Sequence, residues 1–126
     1  MVLAINTLDP LPIYEQLRDQ IVLGIASTQL KPNEPLPSVR RMAADLGINF
    51  HTVNKAYTAL CDEGYIKMDR RKGALVANTM PQTEDFNAHL ARKMLIIAAE
   101  AICHGMCKEE FTTTCESIYD KAKGSV

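Results

Sequence analysis

A mainly α-helical fold with one small β-hairpin is what this sequence predicts, and three observations predict it. Apolar residues recur at helical spacing in five separate stretches. One pair of short apolar runs departs from that spacing and flanks a basic, glycine-containing turn. The 126 residues, 47% hydrophobic and 23% charged, suffice for one ordinary folded domain and a small appendage, not for two domains with separate large cores.

The first stretch follows the turn at Pro10 and Pro12. Ile13, Leu17, Ile21 and Ile25 recur every four residues, with Tyr14 and Val22 widening the stripe, so an amphipathic helix is expected to about Thr28. Lys31 to Pro37 carries three prolines and must be an extended or turning connector. Ser38 is placed to cap a short helix bearing Val39, Met42, Ala43 and Leu46, which Gly47 can stop. Asn49 can cap a third, whose Val53, Ala56, Tyr57 and Leu60 share one face and which Gly64 closes. Tyr65–Met68 and Ala74–Ala77, on either side of the patch Asp69 to Gly73, read as the hairpin.

Two short helices with a glycine between them have the layout of a helix-turn-helix, whose second helix is the reader, and the hairpin supplies a wing. After a linker from Asn78 to Thr83 comes another helical pattern, with Phe86, Leu90, Met94, Ile97 and Ala101 on one face and a stop near His104-Gly105; a last helix is expected from Glu109 to Lys121. The expected architecture is therefore a winged helix-turn-helix over 1–78 and a short C-terminal helical dimerisation segment over 79–126.

No run approaches the 18 to 20 apolar residues of a membrane span, and the N-terminus lacks the basic start, apolar core and cleavage site of a secretory signal, so a cytoplasmic protein is expected. The net charge of −1 is unevenly spread. Between Lys31 and Ala77 stand eight Lys/Arg against five Asp/Glu, a net +3, whereas the rest has six against ten, a net −4. A basic middle with acidic ends suits a DNA reader that carries a protein-facing appendage.

Four blocks then carry a resemblance. Pro12-Ile13-Tyr14-Glu15-Gln16-Leu17, Leu36-Pro37-Ser38-Val39-Arg40, Asn49 through Tyr57, and Glu63-Gly64-Tyr65-Ile66 resemble, in order and spacing, the GntR family of bacterial regulators from Pro12 to about Val76. The tail of about fifty residues resembles the YtrA subfamily, which implies a two-helix dimerisation module in place of a large effector domain. One departure stands in the wing, where the family usually has two glycines around a basic tip and this chain has Arg71 at the first, followed by Lys72-Gly73. A different turn is expected there.

The resemblance implies that Arg40 points toward the duplex, where a guanidinium pairs bidentately with phosphate or guanine, with Arg41 assisting. Asn49, His51, Thr52, Asn54 and Lys55 lie at the N-terminal end of the third helix, the end that meets base edges in this architecture. Asn can pair with adenine, Thr can touch phosphate or the thymine methyl, and Lys reaches phosphate or guanine. Asn49 is equally a helix cap, and Thr52 equally a local turn residue. Phe50 packs on a DNA sugar or on its neighbours. Lys72, at the wing tip with Arg70 and Arg71, is expected against phosphate or the minor groove. Tyr57, Leu60 and Ile66 belong to the core.

The stripe Phe86, Leu90, Met94, Ile97 and Ala101 is too apolar to leave exposed on so small a domain and is assigned to a homodimer contact, packing against the winged domain being the alternative. Cys103, Cys107 and Cys115, with His104 between, bring metal-ligand types close together. Their spacing is no standard zinc pattern and Gly105 interrupts the helix that would align Cys103 with Cys107, so they read as buried or incidental thiols instead of a metal or redox sensor.

The leading function is a dimeric repressor on a double-stranded inverted-repeat operator, with no cofactor, no metal and no membrane partner. A small-molecule effector of unknown identity is left open. Some relatives fuse this headpiece to an aminotransferase-like domain, for which 126 residues leave no room, and no nucleophile–base or phosphate-binding constellation stands out. A purely protein-binding module is disfavoured by the basic middle segment and the polar start of the third helix.

Overall fold

A computed structural model describes residues 3–78 and 80–124. Its elements are α1 (Ile13–Ala26), α2 (Val39–Leu46), α3 (Phe50–Asp62), β1 (Ile66–Asp69), β2 (Gly73–Val76), α4 (Glu84–Cys103) and α5 (Lys108–Ala122). The chain divides into two compact units, one reaching to Met80 and one starting at Pro81. Of the expected linker, Thr79 lies outside the described residues.

In the first unit the caps are local chemistry. Pro12 precedes α1 with φ −54, already the value a helix start requires. The Ser38 hydroxyl accepts the Arg41 N–H at 3.1 Å, and the Asn49 side chain accepts the His51 N–H at 2.7 Å, each relieving a donor that the first helical turn leaves unpaired. Gly47 ends α2 at φ +65, a left-handed conformation that glycine adopts without strain. α1 stops at Ala26, two residues short of the expected Thr28, which itself takes a positive φ of 63.

The buried faces of these helices meet in one core: Leu17 and Ile21 from α1, Met42 and Ala43 from α2, Val53, Ala56, Tyr57 and Leu60 from α3, with Ile66 and Val76 from the hairpin. α3 packs on both α1 and α2 and so is held with its apolar side inward. The two polar groups in this core are paired. Gln16, buried, accepts the Asn6 N–H and donates to the carbonyls of Asn6 and Leu11, which straps the N-terminal segment across α1. The Tyr57 hydroxyl donates to the Pro37 carbonyl at 2.7 Å and ties α3 to the connector.

Burial pushes the Tyr57 hydroxyl up to about 12 from an ordinary value near 10. The folded state thus holds the proton more tightly than the unfolded chain, so this group's stabilisation is whole below pH 10 and is lost as the pH rises toward 12. Tyr57→Phe is expected to lose about 0.5–1.5 kcal/mol at neutral pH through the missing hydrogen bond and to lessen the alkaline fall in stability. Urea titrations at pH 8 and pH 11 measure both.

The hairpin is antiparallel, with Ile66 opposite Val76 and Asp69 opposite Gly73. Its strands start one residue later and stop one residue earlier than Tyr65 and Ala77. The proline-rich connector does more than turn. The N–H groups of Asn33 and Leu36 donate to the carbonyls of Val76 and Ala74, the Val76 N–H donates to Glu34, and Pro35 bridges Leu75. Proline is tolerated there because the segment is an edge with one side unpaired. The wing therefore has a third extended segment behind it.

The second unit consists of α4 and α5. Thr83 caps α4 by accepting the Phe86 N–H at 3.0 Å, and α5 extends one residue beyond the expected span at each end. No described helix is long and apolar enough to cross a membrane.

Candidate nucleic-acid interface

With Val53, Ala56, Tyr57 and Leu60 buried, the helical period turns Phe50, His51, Asn54, Lys55 and Thr58 outward, and all five are exposed. Asn54 and His51 stand near the centre of that face. Thr58, one turn beyond Asn54, belongs to it too and was not singled out in the sequence because a threonine in mid-helix carries no motif. Thr52 is half-buried at the edge of the packed side, which favours its local reading over a base contact. Asn49 is exposed, but its side-chain oxygen is engaged as the cap.

Lys55 is not free-standing. Its Nζ lies 4.1 Å from the centre of the Tyr14 ring, a cation–π contact that ties the start of α3 to α1, where Tyr14 in turn donates to Glu15 at 3.1 Å. The Glu15 carboxylate raises the Tyr14 pKa, first through that hydrogen bond.

Arg40, exposed on α2, places its guanidinium 5.7 Å from the Phe50 ring centre, and Phe50 meets His51 edge-on at 5.6 Å. Phe50 thus packs on its neighbours and brings Arg40 and His51, eleven residues apart, to one place at the start of α3. Arg41 points elsewhere along α2, toward Asp45 at 3.7 Å with 75% of its side chain open. A pair that exposed contributes little, so Arg41 can leave it for a phosphate at small cost.

The wing tip resolves the missing glycine. The Asp69 carboxylate accepts the N–H groups of Arg71 and Lys72 at 2.8 and 3.0 Å, and a positive φ of 77 is needed only at Gly73. An L-residue is therefore accommodated at 71. The two N–H donors, Lys72 first, hold the Asp69 carboxyl below its ordinary range. Arg70, Arg71 and Lys72 are all exposed, and at the other end of the strand Lys67 Nζ donates to Asn33 at 2.8 Å. Asp69→Ala is expected to speed amide exchange at Arg71 and Lys72 while leaving the core amides protected. The same loosening is expected in the unmodified protein as the pH falls below the ordinary carboxylate range, because the depressed Asp69 is stabilising only while ionised.

In the second unit Phe86, Leu90, Met94 and Ile97 are 41–53% exposed and Ala101 is half-buried. The apolar surface is wider than the expected stripe: Leu95, Ile96 and Ile102 on α4 are 59–71% exposed, as are Ile118 and Tyr119 on α5 at 58% and 69%. Cys103 and Cys107 are exposed and Cys61 and Cys115 half-buried, which corrects the buried part of the cysteine expectation; Cys107 caps α5 in position and donates its thiol to Glu110. Among the described residues no three His, Cys, Asp or Glu gather as metal ligands would.

Residues 13–76 match the model of the bacterial regulatory proteins of the gntR family. The regulator YhcF of Bacillus subtilis is 31% identical over 84 residues, 67% of this chain and 69% of YhcF. The repressor YtrA of the same organism is 38% identical over 57% of this chain, which spans about half, 55%, of YtrA's length. Among solved structures, a transcriptional antiterminator from Listeria monocytogenes superposes with a TM-score of 0.90 at 26% identity, covering 98% of this chain and 93% of its own. YtrA from Sulfolobus acidocaldarius gives 0.68 at 34% identity, covering 82% and 99%. The AraR DNA-binding domain in complex with operator ORR3 gives 0.50 at 26% identity over 60% of this chain and 95% of that one. The chain belongs to the gntR family of bacterial regulatory proteins, as a YtrA-like, winged-helix regulator of transcription that binds DNA.

Proposed function

We propose that the protein is a dimeric repressor of the cytoplasm, with no catalytic step, whose two winged units read the two halves of an inverted-repeat operator. The observation that carries this reading is the outward face of α3, which exposes His51, Asn54 and Thr58 and at whose start His51 and Arg40 both meet Phe50, beside an apolar face locked into the core. In this assignment α3 enters the major groove, with His51 and Asn54 on base edges, Arg40 on phosphate or guanine, Arg41 on phosphate, and the Lys72 tip against the neighbouring backbone or minor groove. Lys55 serves the surface from its seat on Tyr14, and Asn49 and Thr52 act mainly by setting the start of α3. The stripe Phe86, Leu90, Met94, Ile97 and Ala101 joins the two copies.

Selection of bound fragments from genomic DNA tests the reading. The expected product is an inverted repeat whose half-sites are about 34 Å apart or a multiple of it. Recovery of one asymmetric site protected by a single protomer would contradict it. With such an operator, Asn54→Ala is expected to change preference at particular base pairs. Lys72→Ala should instead weaken all operator variants alike and reduce the salt slope by about 1. Equal losses on every variant from both substitutions would exchange the roles assigned here.

A further inference from the structure

Phe50 is an aromatic side chain at a place where helix formation asks for none. Asn49 already caps α3, and Val53, Ala56, Tyr57 and Leu60 anchor the helix in a core to which Phe50 does not belong. A ring at the first helical position gains nothing from the backbone, since aromatic side chains lose rotamer freedom against a helix. Its neighbours cover it in part: the Arg40 guanidinium lies 5.7 Å from the ring centre, and the His51 ring meets it edge-on at 5.6 Å. With both in place Phe50 is still 41% exposed, the only large apolar side chain that α3 leaves open. It stands at the end of α3 that meets base edges in this architecture. Asn54 follows one turn later on nearly the same side of the helix.

We propose that Phe50 determines specificity by reading a thymine of the operator through its C5-methyl group. This rests on the entry of α3 into the major groove proposed above and adds one base to what the helix reads. The chemistry of the groove selects the partner. Purine N7, guanine O6, thymine O4 and the amino groups of adenine and cytosine are all hydrogen-bonding groups, and the thymine methyl is the apolar one among them. A phenyl ring neither donates nor accepts there, so it is matched only by that methyl, whereas the groups beside it have polar partners: guanine or phosphate for Arg40, adenine for Asn54. Spacing gives the position. Side chains four residues apart on a helix stand roughly 5–6 Å apart at Cβ, and base pairs rise by about 3.4 Å. The thymine therefore lies within about two base pairs of the pair that Asn54 reads. A deoxyribose would also offer Phe50 an apolar surface, but contact with it would read no base.

Replacement of thymine by deoxyuridine tests this, because it removes the methyl and leaves the base pairing and the O4 acceptor in place. Each thymine of the selected operator is replaced in turn, and binding is titrated with the full-length protein and with Phe50→Ala, whose fold should hold because the ring lies outside the core. One position in each half-site is expected to weaken binding of the unmodified protein about fourfold, the effect of uncovering one methyl-sized apolar group, and about fifteenfold when both half-sites are replaced. Phe50→Ala should bind the thymine and deoxyuridine operators equally. Loss of the ring also frees Arg40 and His51, but that weakens binding to both operators alike and cancels in their ratio. No sensitive thymine, or one whose loss is undiminished in Phe50→Ala, overturns the proposal and leaves Phe50 as a support for its neighbours or a contact to sugar. Guanines replaced by 7-deazaguanine, which lacks the N7 acceptor, test the helix placement separately. Sensitivity to 7-deazaguanine alone overturns the reading of thymine and keeps α3 in the major groove. Insensitivity to both replacements overturns the placement of α3 and the proposal with it.

Discussion

Leu90→Glu is expected to give a monomer that keeps its winged unit folded and loses most of its affinity for the operator. The residue lies mid-stripe on α4, 44% exposed in the single chain, and is assigned to the two-fold contact. A carboxylate there would be buried twice, once from each copy, with an acidic counterpart nearby; isolated charges removed from water cost several kcal/mol each. The winged core shares no residue with the stripe, so its far-UV signal and its urea midpoint should hold. The loss on DNA is large because one half-site supplies too few base contacts: specific binding exceeds non-specific by roughly 10³-fold or more, and a monomer gives up most of that margin. Sedimentation with a gel-shift titration reads both effects, and Ile97→Glu should reproduce them.

The second large effect is expected on the reading surface. Arg40→Ala should weaken operator binding by about 1–3 kcal/mol if the guanidinium pairs bidentately with phosphate or guanine. Arg40 also packs on Phe50, so the variant could act by loosening the start of α3. Arg40→Lys separates the two: it keeps the charge and loses the fork, and should recover only part of the affinity if bidentate pairing matters. Unchanged affinity in Arg40→Ala, with the fold intact by circular dichroism, would remove Arg40 from the interface.

The elements with local signals were legible in the sequence. Ser38 and Asn49 could be assigned as caps because the cap, the N–H that donates to it and the first helical turn lie within three residues of one another. The core face of α3 followed from its period. What depended on distant partners was hidden. Gln16 reads as a polar position on α1, and nothing near it says that its amide holds backbone five and ten residues upstream. The prolines around Pro35 signal a break, yet the segment's backbone pairs with a strand forty residues on. Arg71 reads as a departure that calls for a different turn in the wing, because a missing glycine is visible in the sequence and the Asp69 acceptor that shapes the turn is not. In the site, Lys55 could be listed among DNA contacts by position alone, and only three-dimensional packing puts it over Tyr14. On α4 a single-stripe pattern finds Phe86 to Ala101 and overlooks Leu95 and Ile102, since a helix segment apolar on opposite sides has no polar face to mark its boundary.

The account depends on two copies acting together, and sedimentation velocity of the unmodified protein, alone at micromolar concentration and then with its selected operator, measures that directly. A dimer in the free protein and two protomers on one inverted repeat is the predicted result. A monomer at that concentration that binds the same repeat tightly as a single protomer would contradict it.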